Sequence, residues 1–219
     1  MLFFDLEFYV PPSGRTAKRS LIYNPGYQDH LCLGGVFAIH PLEHPLPHDL
    51  TKVPMKSLWL WDYPSEKALL KDILAIFKND LRHTQKMNEK SRGYKIRDNL
   101  LYGIGISRID LPVLYIRANY NRISSPSELF SLLFNTRSID FSNVCSPFFA
   151  SDYLYPITAN EITKALNLPQ EPKESGKKIW DYYDKGEFHK ITSRCEGEVL
   201  DIIRIYQKLV QLDPKKFRN

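Results

Sequence analysis

Phe3-Phe4-Asp5-Leu6-Glu7-Phe8-Tyr9 is an apolar run that carries two carboxylates near the start of the chain. Because side chains alternate between the two faces of a strand, we expect Asp5 and Glu7 on the same face. Burying bare charges among aromatic and aliphatic neighbours is costly, so the two carboxylates need compensation. Oxygen ligands in this arrangement suit Mg²⁺ or Mn²⁺. The alternative that these residues leave open is the solvated face of an edge strand.

The composition is that of a globular protein, because 43% of the 219 residues are apolar and 13% are aromatic. A chain of this length can bury a substantial core. We predict a single domain over residues 1–219. No apolar run reaches the roughly 18–20 residues that a transmembrane helix needs. No basic residue precedes the first apolar run, as one would in a signal peptide. We therefore expect a protein that does not associate with a membrane.

The cysteines and the net charge bear on the compartment and the partners. Cys32, Cys145 and Cys195 are odd in number and lack metal-type spacing, which predicts free thiols in a reducing compartment. A cytoplasmic location is the resulting expectation. The net charge of +5 permits a polyanionic partner without requiring one.

Three strands are predicted near the start of the chain, over residues 2–10, 31–40 and 55–61. The turn-rich connections between them favour an antiparallel meander. Gly34 and Gly35 inside the second strand indicate a bulge or a close approach between backbones.

The rest of the chain alternates helices with short strands. A helix is predicted over residues 67–77 behind Ser65 as N-cap, and the charged segment 79–98 is either an exposed helix or a mobile loop. Strands follow at residues 100–106 and 138–141, and helices at about 158–166, 176–185 and 187–211. This alternation after a meander predicts an α/β layer structure with a mixed sheet.

Two further carboxylates fall where ligands are expected, and each has a plainer explanation. Asp110 follows a buried strand, near the carboxyl end where ligand sites form in open α/β sheets, but it is also a good helix N-cap. Glu198 lies on the apolar stripe of the last helix, where a carboxylate needs a partner or a metal. Arg194, four residues earlier, could be that partner in an internal ion pair. The residues alone leave both explanations open.

In their order and spacing, these motifs resemble the DEDD exonuclease group of the ribonuclease H-like superfamily. More narrowly, they resemble predicted 3′–5′ exonucleases related to the proofreading domain of family-B DNA polymerases. The resemblance runs nearly the full length of the chain. The similar segments are Asp5-Leu6-Glu7, residues 107–114 (SRIDLPVL), Ser138-Ile139-Asp140, residues 166–169 (LNLP) and residues 180–200.

The resemblance implies a ribonuclease H-like fold, a mixed β-sheet flanked by helices on both faces, with Asp5 on the central strand. It implies a metal-dependent 3′–5′ exonuclease that acts on single-stranded DNA or RNA through two Mg²⁺ or Mn²⁺ ions. The implied metal ligands and catalytic residues are Asp5, Glu7, Asp110 and Glu198. Asp5 would bridge the ions, Glu7 would hold one ion and the attacking water, and the other two would complete the shells.

Three other residues are candidates for binding substrate. Phe8 could stack on a terminal base, with a place in the core as the alternative. Arg108 could contact phosphate, with simple exposure as the alternative. Arg194 is the third candidate for binding substrate.

Two residues depart from the family pattern. Glu198 stands where the family has an aspartate, and Arg194 stands where it has the tyrosine that orients or deprotonates the attacking water. Arginine cannot act as a base at neutral pH. The alternative function is therefore a catalytically lapsed nuclease fold that binds nucleic acid or a protein partner.

Overall fold

A computed structural model of the chain describes residues 1–15, 23–41, 44–47, 49–90, 100–146, 158–169 and 175–211, with residues 51 and 82–90 described in their backbone alone. Within these ranges the strands are β1 (Leu2–Tyr9), β2 (Leu31–Ile39), β3 (Met55–Trp59), β4 (Leu100–Gly103) and β5 (Arg137–Asp140). The α-helices are α1 (Glu66–Lys90), α2 (Asp110–Tyr120), α3 (Pro126–Leu133), α4 (Phe141–Val144), α5 (Ala159–Ala165), α6 (Lys178–Asp184) and α7 (Phe188–Gln211).

The strands form one mixed sheet in the order β3-β2-β1-β4-β5, so that β1 lies in the middle. β2 runs antiparallel to both β1 and β3, whereas β4 runs parallel to β1 and β5. The predicted α/β class, the mixed sheet and the antiparallel meander are therefore confirmed. Each of the first three strands is one or two residues shorter than the pattern predicts.

Helices cover both faces of this sheet, and the alternation of β1 decides which face carries the acidic residues. Leu2, Phe4 and Leu6 pack against apolar residues of α1, α2 and α3. Phe3 lies on the opposite face, in a second apolar group with residues of α5, α6 and α7. Asp5 shares the face of Phe3 because side chains alternate along the strand. Its carboxylate therefore lies beneath α7.

A buried ion pair fixes α2 against the neighbouring elements. Arg117, which is only 1% exposed, donates from Nε to Oε1 of Glu66 at 2.8 Å and from Nη1 to the carbonyl of Tyr27 at 2.7 Å. Glu66 also accepts from the backbone N–H of Cys32 at 2.9 Å. Since breaking a buried pair is strongly destabilising, this network holds α2 in place relative to α1 and β2.

Several element boundaries differ from the sequence prediction. The fourth strand ends at Gly103 rather than at residue 106, because Gly105 has a φ of 74° and takes the chain out of the sheet. The first helix continues to Lys90, so the part of the charged segment that the structure describes is helical, and residues 91–99 lie outside the described residues. Helices α3 and α4 are additions that the sequence pattern did not predict.

The three cysteines are buried and free, as predicted. Across the ranges given above, none of the helices combines the length and the apolar character needed to cross a membrane.

The glycine pair of β2 produces the predicted bulge and close approach. The register between β1 and β2 shifts between Glu7 and Phe8, and Gly34 adopts a φ of 117°, a conformation that favours glycine. A methyl group added at Gly35 would lie 2.2 Å from the carbonyl oxygen of Asp5. The backbone of β2 can therefore lie against β1 at this point only because residue 35 has no side chain.

We expect the substitution Gly35→Ala to lower the free energy of unfolding by about 3 kcal/mol, because the new methyl group must displace backbone rather than a flexible side chain. Urea unfolding followed by circular dichroism measures this. Gly197→Ala is the matched control: nothing lies within 4 Å of the added methyl group, and a helical glycine-to-alanine change should stabilise by about 1 kcal/mol. Equal stability of native protein and Gly35→Ala would contradict the close approach.

Candidate metal centre

Ligand-type side chains from β1 and α7 converge beneath the helix. Asp5, Glu7 and Cys195 each place an oxygen or sulfur atom within 4.8 Å of the other two. Asp5 and Glu7 project from the same strand face, as the alternation of the sequence predicts. Their strand is central rather than at an edge, so the solvated edge-strand alternative does not apply.

Asp5 lies at the centre of the cluster. The Cys195 thiol donates toward Asp5, with Sγ 3.3 Å from Oδ2 and 3.4 Å from the carbonyl oxygen. Burial, followed by the negative charges of Glu198 and Glu7, raises the pKa of Asp5 well above its usual value.

Arg194 connects the helix carboxylate to the strand carboxylate. Its Nη2 lies 2.6 Å from Oε1 of Glu198, and its Nε lies 3.5 Å from Oε1 of Glu7. The internal Arg194–Glu198 ion pair that the sequence left open is therefore present, and it extends to Glu7. Burial lowers the pKa of Arg194, but the charges of Glu198 and Glu7 outweigh burial, so the net shift is upward and the guanidinium stays charged.

The Glu7 carboxylate is largely shielded from solvent. Its side chain is 12% exposed, and its Oε1 atom is fully buried without a hydrogen-bond partner. Burial and the charge of Glu198 raise the pKa of Glu7 to about 8, although Arg194 opposes this rise. A buried oxygen of this kind is stabilised by a cation.

Asp110 joins the cluster from α2. Its Oδ1 accepts from the backbone N–H of Leu6 at 3.1 Å, and the residue is 5% exposed. Burial raises the pKa of Asp110 to about 7, against the lowering effect of the Leu6 hydrogen bond, and its charge acts on both Asp5 and Glu7. The predicted carboxylates Asp5, Glu7, Asp110 and Glu198 are thus brought together in one interacting group.

The prediction that Asp110 caps its helix is wrong. Ile109 occupies the N-cap position, and Asp110 is the first residue of α2. The residues from Gly105 to Ile109 form a turn, which is closed by a 2.9 Å hydrogen bond from the Ile109 N–H to the Gly105 carbonyl. This turn determines that α2 begins at Asp110. The carboxylate of Asp110 is therefore free to reach across to β1.

Asp140 fixes the turn that delivers Asp110, and sequence reasoning assigned it no role. Its carboxylate accepts from the N–H of Gly105 at 2.8 Å, from the N–H and hydroxyl of Ser107 at 3.0 and 2.5 Å, and from the N–H of Ser142 at 3.0 Å. The sequence indicated only that Asp140 lies at the end of a short strand. It did not indicate the bonds of Asp140 to a turn more than thirty residues away.

The three candidate substrate-binding residues have different surroundings. The Phe8 ring packs against Tyr23, with centroids 4.9 Å apart, in the core position that the sequence left as the alternative. Arg108 is exposed in the turn before α2, which is the alternative considered for it. Arg194 lies inside the carboxylate cluster.

The donor set fits hard divalent cations. Carboxylate oxygens are the ligands that Mg²⁺ and Mn²⁺ prefer, and Asp5 and Glu7 offer such oxygens within 4.8 Å of each other. Comparison of the sequence with models of protein families gave no match, and comparison with curated proteins gave none either.

We expect Asp5→Asn to gain stability relative to the metal-free native protein as the pH rises from 5 to 8. The unfolded chain releases the protons of Asp5 and Glu7 near the ordinary pKa values of 3.8 and 4.5. In the folded chain the pKa of Asp5 is raised well above 3.8 and that of Glu7 to about 8. The raised pKa values therefore stabilise the native fold at low pH, and this contribution is lost as the pH rises through the folded pKa.

The relative gain should exceed about 1.4 kcal/mol, the free energy of one pKa unit, because the pKa of Asp5 is raised well above its ordinary value. Urea unfolding of both proteins in EDTA at several pH values measures it. A difference that is constant across this range would mean that the cluster does not hold these protons.

Proposed function

We propose that this chain is a metal-dependent phosphodiesterase of the ribonuclease H-like superfamily, a 3′–5′ exonuclease-like protein that acts on single-stranded DNA or RNA. The observation that carries the proposal is the convergence of four carboxylates. Asp5 and Glu7 have carboxylate oxygens within 4.8 Å of each other, and Arg194 links Glu7 to Glu198. Asp110 accepts from the N–H of Leu6, the residue between Asp5 and Glu7. These carboxylates come from β1, α2 and α7, elements far apart in the sequence. Gathering so much negative charge in a largely buried site is costly unless cations are bound there.

The architecture supports the same assignment. The central strand carries the first acidic motif, the meander and the parallel strands lie on either side of it, and helices cover both faces. This is the arrangement that the ribonuclease H-like resemblance leads us to expect. The second acidic motif begins the helix that follows β4.

The carboxylates suit phosphodiester hydrolysis, but Arg194 stands where the family pattern has the tyrosine that orients or deprotonates the attacking water. Mg²⁺ or Mn²⁺ held by the carboxylates would supply charge stabilisation and an activated water. Asp5 would hold such ions together with the other carboxylates, and the Leu6 N–H holds Asp110 in a fixed orientation. Arg194 offers a fixed positive charge for a phosphate oxygen, but it cannot deprotonate water. We therefore expect turnover to be slow.

The second candidate function is a lapsed nuclease fold that binds nucleic acid or a protein partner. The specific observation in its favour is the pairing of Arg194 with both Glu198 and Glu7, because a cation already occupies the space between two of the four ligands. A cytoplasmic location fits either function and is supported by the three free thiols.

Digestion of end-labelled single-stranded DNA and RNA with Mn²⁺ or Mg²⁺ tests the proposal. We expect slow shortening from the 3′ end that is abolished by EDTA and falls at least 100-fold in Asp5→Asn. The double variant Arg194→Tyr with Glu198→Asp restores the family pattern and should raise the rate by about 10²–10⁴-fold, the usual contribution of a general base. Asp62→Asn, an exposed aspartate, is the matched control and should keep the native rate.

The outcomes separate the two candidates. Native and double-variant proteins that both fail to cut, while the native chain binds single-stranded nucleic acid, would favour the lapsed binding module. Activity that persists in EDTA and in Asp5→Asn would contradict both.

A further inference from the structure

We propose that the Arg194 guanidinium takes the place of one of two divalent ions, so that the native chain binds a single ion, held by Asp5 and Asp110. The inference rests on the proposed function in that it concerns the same carboxylate cluster. It adds to the proposed function the number of ions that bind and the side chains that hold them.

The guanidinium occupies the position of a bridging cation. It contacts Glu198 on its own helix at 2.6 Å and faces Glu7 on the central strand at 3.5 Å, so it joins two elements as a shared metal ion would. Charge-assisted contacts of this kind are among the stronger ones in proteins. A divalent ion between the same two carboxylates would lie beside a fixed positive charge and be repelled by it.

The position of Arg194 is built into the fold. Its neighbour Cys195 is fully buried and contacts Asp5, which sets the rotation of α7 over the sheet. The Arg194 side chain is 16% exposed and lies one helical turn before Glu198. Gly176 lies alongside its outer edge, where an added methyl group would be 3.8 Å from Nη2. Leaving the cluster would cost Arg194 both ion pairs.

Asp5 and Asp110 lie beside the ion pairs that the guanidinium makes with Glu7 and Glu198. Asp110 accepts from the N–H of Leu6 through Oδ1, so its carboxylate lies against the backbone next to Asp5. Asp5 is surrounded by the other three carboxylates, whose charges act on it in addition to its burial. One guanidinium cannot neutralise four ionised carboxylates, and a single divalent ion would offset most of the negative charge that remains. Because Arg194 pairs with Glu7 and Glu198, we place this ion at Asp5 and Asp110.

Titration of the native chain with Mn²⁺, followed by isothermal calorimetry and by the electron paramagnetic resonance signal of free Mn²⁺, tests this inference. We expect one ion per native chain and two in Arg194→Met, which keeps the length of the side chain but removes its charge. Arg194→Lys is the matched control that keeps the charge, and it should bind one ion. Asp110→Asn should weaken the single native site at least tenfold, whereas Asp62→Asn should not change it.

Two ions in the native chain, none in the native chain, or one in Arg194→Met would each overturn the inference. Circular dichroism melting establishes that each variant is folded. If Arg194→Met does not fold, the native stoichiometry and its response to Asp110→Asn decide.

These measurements are independent of turnover. A native chain that binds one ion but cuts no nucleic acid would keep this inference and contradict the proposed activity. A native chain that cuts with two bound ions would do the reverse.

Discussion

The burial of four carboxylates in one cluster is the constraint on which the rest of the structure depends. Asp5 and Glu7 lie on the middle strand beneath α7, where water cannot solvate them well. Among the residues that the structure describes, the compensating groups nearby are a thiol, one backbone N–H and one guanidinium. They carry one positive charge against four carboxylates. Because unpaired buried charge is among the costliest features of a folded protein, the cluster indicates a function that requires it.

Distant parts of the chain hold this cluster together. Asp140 fixes the turn before α2, and the pair of Arg117 and Glu66 fixes α2 against α1. The glycines of β2 let that strand pack against β1 beside Asp5. None of these contacts is catalytic, yet each limits how far the carboxylates can separate. The site is therefore preorganised by side chains that lie outside it.

The sequence predicted those features that depend on local periodicity. Alternation along a strand is strict, so Asp5 and Glu7 had to share a face, and a spacing of four on a helix had to bring Arg194 beside Glu198. The sequence did not predict the reach of Arg194 to Glu7 or the bonds of Asp140, because such contacts depend on how elements pack. The sequence left open whether Asp110 is a helix cap or a ligand, because it did not show that the turn at Gly105 starts α2 at Asp110 itself. Helix α3 was missed although Ser125 and Glu128 form its capping box.

A crystal structure of the native protein grown with Mn²⁺, with anomalous diffraction measured at the manganese edge, tests the central claim most directly. We expect one anomalous peak, within about 2.5 Å of carboxylate oxygens of Asp5 and Asp110, with Arg194 still paired to Glu198. The absence of a peak in the cluster at saturating Mn²⁺ would contradict a single ion at Asp5 and Asp110. So would a peak that lies between Glu7 and Glu198, with Arg194 displaced into solvent.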